Sequence, residues 1–172
     1  MLSFNTDIVI KGSKAEKYIE LNTKYGFLYI DTYMISGVLG FLAGKKDTNE
    51  NDDKSGIPKT ANIPRTVLNS RSDKIDFLCE VIALNEELSL NEEYAMKIAF
   101  EDAKANDTKK LDRLERFNDY AMGGIDDLYD MIVNQKKFGD PIDSLKNVLD
   151  MYLPNENIGK KSVDEIFDQA GL

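Results

Sequence analysis

Between Phe27 and Lys45 the chain reads FLYIDTYMISGVLGFLAGK, a run in which only Asp31, Thr32 and Ser36 interrupt the apolar character. As a helix it places Phe27, Ile30, Met34, Val38, Phe41 and Leu42 on one side and Leu28, Ile35 and Leu39 on another. A helix that is apolar almost all round has to be covered on every side. The run is near the lower length limit for a membrane span and carries Asp31 in its first turns, so the expectation is a buried central helix of a globular core and no membrane contact. Gly37, Gly40 and Gly44 would each cost about 1 kcal/mol relative to alanine inside a helix. Close approach of a neighbouring helix to a side without Cβ atoms is the expected compensation, with Gly40 and Gly44 facing that neighbour.

The remaining chain supplies amphipathic helices to surround such a centre. Ser13 with Glu16 forms a capping-box pattern before a helix expected over 14–25. The preceding DIVI is read as an edge strand or an extended arm. A second extended stretch is allowed at IPRTVLNS, 63–70, after which Ser70 or Ser72 caps a helix whose buried face is Ile75, Leu78, Cys79, Ile82 and Ala83. Asn91 caps another helix, with Tyr94, Ala95, Ile98 and Ala99 on its apolar stripe. Asn106 or Asp107 opens the longest, in which the apolar period from Leu111 to Ile132 runs through Gly123-Gly124. That pair marks a kink or a close-contact point. Pro141 begins a further helix with Leu145, Val148, Leu149 and Tyr152 on one face, and Ser162 with Glu165 repeats the capping box near the C-terminus. The expected fold is all-α: one domain over 1–172, a helical bundle around 27–45 with minor extended elements. The segment 47–64, rich in Asn, Asp, Gly and Pro, is a long polar loop, pinned back at Ile57 and Ile63.

Composition removes several chemistries. The chain has no histidine, which excludes Ser-His and Cys-His nucleophile pairs and every imidazole-ligated metal site. A single cysteine, Cys79, in the apolar context DFLCEVIAL, reads as a buried thiol and points to a cytoplasmic protein without a disulfide framework. The N-terminus lacks the basic and apolar regions of a secretion signal, which agrees with that location. The formal net charge of −9 opposes wholesale binding to polyphosphate and serves solubility.

Site motifs are few. DTNENDD begins like a calcium loop with Asp47, Asn49 and Asn51, but Asp52 stands where the turn glycine belongs and Pro58 where the bidentate glutamate belongs. AGKKD resembles the end of a phosphate loop, yet Leu39 and Lys46 replace the glycine and hydroxyl residue it needs. The acidic pairs Glu86-Glu87, Glu92-Glu93 and Glu101-Asp102 leave a carboxylate-metal enzyme as one alternative, although adjacent acids point about 100° apart on a helix and read first as solvated faces. No cofactor and no specific metal ligand set is implied. Arg65, Arg71 and Lys74 form the basic group best placed to meet phosphate, and they carry a second alternative, a nucleic-acid-contacting regulator.

Two segments, IDTYMISGVLGFLAGKK and ERFNDYAMGGIDDLYDMI, together resemble small helical proteins associated with bacterial DNA phosphorothioation (dnd) and related phage-defence clusters. The matching residues are Gly40, Phe41 and Gly44 to Lys46, then Glu115, Tyr120, Ala121, Gly123, Gly124 and Ile125, and the pattern is broken at Asp119, Met122 and Asp126. The resemblance covers about a fifth of the chain. It implies a non-enzymatic accessory or adaptor of a phage-defence or mobile-element system, acting through a protein partner and open to self-association. Tyr120, Gly123 and Gly124 are the candidate interaction residues, because two adjacent glycines in a continuous helical period need either an internal contact or a partner to offset them.

Overall fold

The computed structural model describes residues 2–48, 59–88, 91–100 and 108–134. Near the N-terminus, strand β1 (Ile8–Lys11) leads directly into helix α1 (Gly12–Tyr25), and α2 (Tyr29–Ala43) follows. Strand β2 (Thr60–Ile63) precedes α3 (Arg65–Ser70) and α4 (Ser72–Leu88). Helices α5 (Glu92–Phe100) and α6 (Thr108–Tyr129) follow, and α6 runs on into a π turn, Asp130–Asn134. Among the described residues the fold is all-α apart from one two-stranded sheet. No helix of the described residues is long and apolar enough to cross a membrane.

The expected central helix is present as α2, which packs on α6, α1, β2 and α4. It is shorter than 27–45 at both ends, and each end has a local cause. Leu28 is extended at φ −71 and ψ 144, so Phe27 and Leu28 lie outside the helix. At the other end Gly44 turns left-handed at φ 65, its N–H donates to the Phe41 carbonyl, and the Lys45 N–H donates to that of Gly40. This is a Schellman closure, which a glycine at that position accommodates without Cβ strain. Gly44 therefore does not face a packed helix as expected: a Cβ there would meet nothing within 4 Å.

Gly37 and Gly40 do face a neighbour, and that neighbour is α6. A Cβ on Gly37 would enter the Phe117 ring. One on Gly40 would overlap the Tyr120 carbonyl and come within 3.0 Å of the Gly124 nitrogen. Conversely, a Cβ on Gly124 would overlap the Ser36 carbonyl and lie 2.9 Å from Cα of Gly40. The two backbones thus touch directly, each glycine aiming a Cα hydrogen at a carbonyl of the other helix, the recurring Cα–H···O geometry of close helix pairs. Around this crossing Tyr33, Leu39, Phe117, Ala121, Ile125 and Leu128 are fully enclosed, and the Tyr33 ring meets Phe117 edge-on at 5.1 Å. Helix α6 continues through Gly123-Gly124 without ending, so the pair marks a close contact.

The DIVI stretch is an edge strand, one of its two expected readings, whereas the second extended element lies at Thr60–Ile63 and not over 63–70. β1 pairs antiparallel with β2 in the register Ile8↔Ile63 through Lys11↔Thr60, so Ile8, Ile10, Ala61 and Ile63 share the inward face. The end of the expected 47–64 loop is thus a strand, with Ile63 buried as its anchor; Ile57 lies outside the described residues. Residues 65–70, part of the stretch 63–70 for which the sequence allows an extended form, make up α3. The cause is tertiary: the Asp7 carboxylate accepts from the Arg65 N–H at 2.8 Å, capping the first turn, and Asn69 exchanges two hydrogen bonds with the Phe4 backbone. The Ser13 capping box does not start α1, whose first residue is Gly12 and whose N-cap is Lys11. Asn91 caps α5 as expected, its side chain accepting from the Tyr94 N–H at 3.0 Å. The expected cap at Asn106 or Asp107 and all elements after 134 lie outside the described residues.

Alanine at Gly40 or Gly124 is expected to destabilise by an amount at or beyond the upper end of the roughly 1–3 kcal/mol typical of overpacking, because the obstacle is backbone. At Gly44 the same change should cost only the left-handed strain, about 1 kcal/mol. Chemical denaturation of the three variants measures the contrast, and equal midpoints would contradict the crossing.

Candidate functional site

Helices α2 and α4 both rest on α6, and they run the same way. Along α6, Phe117 meets Tyr33 and Gly124 meets Gly40 of α2, while Arg113 meets Asp76 and Glu80 and then Arg116 meets Glu86 of α4. Between their outward faces lies an open groove of about 560 Å³ lined by Met34, Ile35, Val38 and Leu39 from α2 and by Asp73, Lys74, Phe77 and Leu78 from α4. Met34, Ile35, Val38 and Leu78 are half-buried, whereas Phe77 is 61% exposed and Leu42, one turn beyond Val38, is 46% exposed. Among the described residues, one face of α2 is thus only partly covered.

The end of the groove near Glu86 is held by charge. Its Oε1 accepts from Lys46 Nζ and from the Tyr120 hydroxyl, each at 2.6 Å, and its Oε2 accepts from Arg116 at 3.1 Å. Lys46 also lies 4.6 Å from the centre of the Tyr120 ring, whose edge meets Phe41. Burial pushes the Glu86 carboxyl up, but Lys46, Tyr120 and Arg116 outweigh it and hold the group below its ordinary 4.5. Nearby, Arg113 is 4% exposed and approaches Asp76 and Glu80 of α4 at 4.0 and 3.9 Å, a second tie from α6 to α4. These carboxylates are engaged in ion pairs. Among the described residues no group of three or more acidic or cysteine side chains could hold a metal ion.

Each sequence candidate has a definite place. Tyr120 is buried and holds Glu86; Gly124 is the crossing itself; Gly123 carries the chain leaving α2, since a Cβ there would stand 2.6 Å from the Lys45 carbonyl carbon. All three make internal contacts of the kind the packing reading requires. Arg65 turns to the N-terminal arm, its guanidinium donating to the Asn5 carbonyl at 3.4 Å. Arg71 closes α3 half-buried, and Lys74 stands exposed on the groove wall. Asp47, the first residue of the calcium-like stretch, pairs with Lys14 at 2.9 Å and donates its N–H to the Asp119 carbonyl.

The groove residues are those that sequence reasoning did not single out. A signal existed in Phe77, a large aromatic lying off the Ile75, Leu78, Cys79, Ile82, Ala83 face that organises α4. Among the described lining residues, only Asp73 and Lys74 could act as acid, base or nucleophile. Cys79 lies behind it, 1% exposed, its thiol pushed up by burial to about 12. Comparison with family models, with curated proteins and with solved structures finds no match.

Two outcomes follow from these environments. A group whose folded pKa is depressed contributes stability above its unfolded pKa and loses it as pH falls through the folded one. Wild-type denaturation midpoints should thus drop below about pH 4.5 more steeply than those of Glu86→Gln, and parallel profiles would contradict the Glu86 cluster. Cys79, kept protonated and enclosed, should react with a thiol reagent only at the rate of unfolding. Fast labelling of the folded chain would contradict its place.

Proposed function

We propose that this chain is a non-enzymatic interaction module, an accessory or adaptor protein whose docking surface is the α2/α4 groove. The observation that carries this reading is the groove itself: a cleft walled almost wholly by aliphatic and aromatic side chains, with Phe77 standing exposed on its rim. Apolar surface left open beside a packed core is the usual mark of a binding face. The same walls lack the convergent titratable groups that a reaction needs. The resemblance of 30–46 and 115–132 to proteins of phage-defence clusters supports placing such an adaptor in a bacterial defence or mobile-element system. In that reading Gly40, Gly123 and Gly124 build the scaffold and the groove meets the partner.

Phe77→Glu on the apolar wall and Leu42→Glu at its end place a charge at positions the fold leaves exposed. Each variant should keep its melting temperature within a few degrees of wild type, as surface substitutions do, and should lose the partners that tagged wild-type protein captures from its native host. Retention of every wild-type partner by both variants would defeat the proposal.

A further inference from the structure

Resting on the reading of the groove as a docking surface, we infer that its occupant is an amphipathic α-helix of a basic partner protein, laid antiparallel to α2 and α4. The walls decide that the occupant is helical. Both are helices whose backbone groups are already paired internally, and the lining side chains offer only Asp73 and Lys74 as polar partners. An extended peptide would bury unpaired N–H and C=O groups there, each costly to leave unsatisfied, whereas a helix brings its backbone hydrogen bonds with it. The dimensions fit: Met34 to Leu42 spans about 12 Å at 1.5 Å per residue, the reach of anchors at i, i+4 and i+7. Such a helix would cover the face of α2 that its all-round apolar sequence leaves in need of cover.

Direction and charge follow from the same walls. Because α2 and α4 run parallel, their macrodipoles add, and a third helix is favoured with its N-terminus beside their C-terminal ends. Asp31, one turn before Met34 and Ile35 on α2, and Asp73 in the first turn of α4 stand toward the opposite end against Lys74, the one cation among the described lining residues. With a formal net charge of −9 the whole chain attracts a basic partner and repels a second copy of itself.

The test uses the full chain, isotope-labelled for NMR, with two probes: a leucine–lysine amphipathic model helix bearing a nitroxide at its N-terminus, and its leucine–glutamate counterpart. The lysine helix should shift resonances of Met34, Val38 and Phe77, broaden those near Leu42 more than those near Asp73, and bind more tightly than the glutamate helix. Phe77→Glu makes the surface more acidic and would strengthen a purely electrostatic contact. A weakening on the order of tenfold or more in that variant therefore identifies apolar docking. Equal binding of both probes, broadening at the Asp73 end, shifts outside the groove, insensitivity to both probes, or concentration-dependent shifts of the free chain that mark self-association would each overturn the inference. If the probes fail while Phe77→Glu still abolishes capture of the native partner, the occupant is wrong and the docking surface stands. If the variant captures every partner, the docking surface itself falls.

Discussion

The direct backbone contact of α2 with α6, Gly40 against Gly124, is the constraint on which the other features of this structure depend. Side chains elsewhere can yield by changing rotamer, but two main chains in contact cannot, so the crossing sets the height of α2 above α6. From it follow the enclosure of Tyr33 against Phe117, the placement of Lys45 and Lys46 over Gly123, and the delivery of the Lys46 ammonium to Glu86. The glycines cost helix propensity, about 1 kcal/mol each, and the close interface returns it.

One consequence of so tight a pair is that α4 has no room between them and takes a flanking seat on α6 beside α2. Arg113 and Arg116 of α6 reach Asp76, Glu80 and Glu86 on α4, so that flanking contact is held by charge as well as by Ile75, Cys79 and Ile82. Two parallel helices on a third leave a furrow on their outer side. Scaffold and proposed function are therefore largely separate in residues but joined in geometry: small residues on the inner face of α2 make the fold, and Met34, Ile35 and Val38 on its outer face line the groove.

Much of this was legible in the residues. The central helix, the buried Cys79, the Asn91 cap and the continuity of α6 through Gly123-Gly124 all follow from local pattern, since apolar period and capping chemistry act within a few residues. The α3 helix was not, because the groups that stabilise it, Asp7 and Asn69 with Phe4, meet only after β1 and β2 pair. Gly44 was misplaced because a helical glycine and a helix-ending one look alike until the chain beyond it is seen to turn. For the site, the sequence showed that the Tyr120-Gly124 stretch needed a contact and left open which surface supplied it. The groove was hidden for a simpler reason: an all-apolar helix announces burial, not which of its faces stays open.

The measurement that tests the account most directly is a double-mutant cycle on the crossing, with unfolding free energies for Gly40→Ala, Gly124→Ala and the pair. If the two backbones touch as described, the first added methyl already separates the helices and the second finds the space open. The double variant should then lose far less than the sum of the singles, with a coupling of at least about 1 kcal/mol. Strict additivity of the two losses would mean that the glycines do not face each other, and the crossing, with the groove it defines, would have to be abandoned.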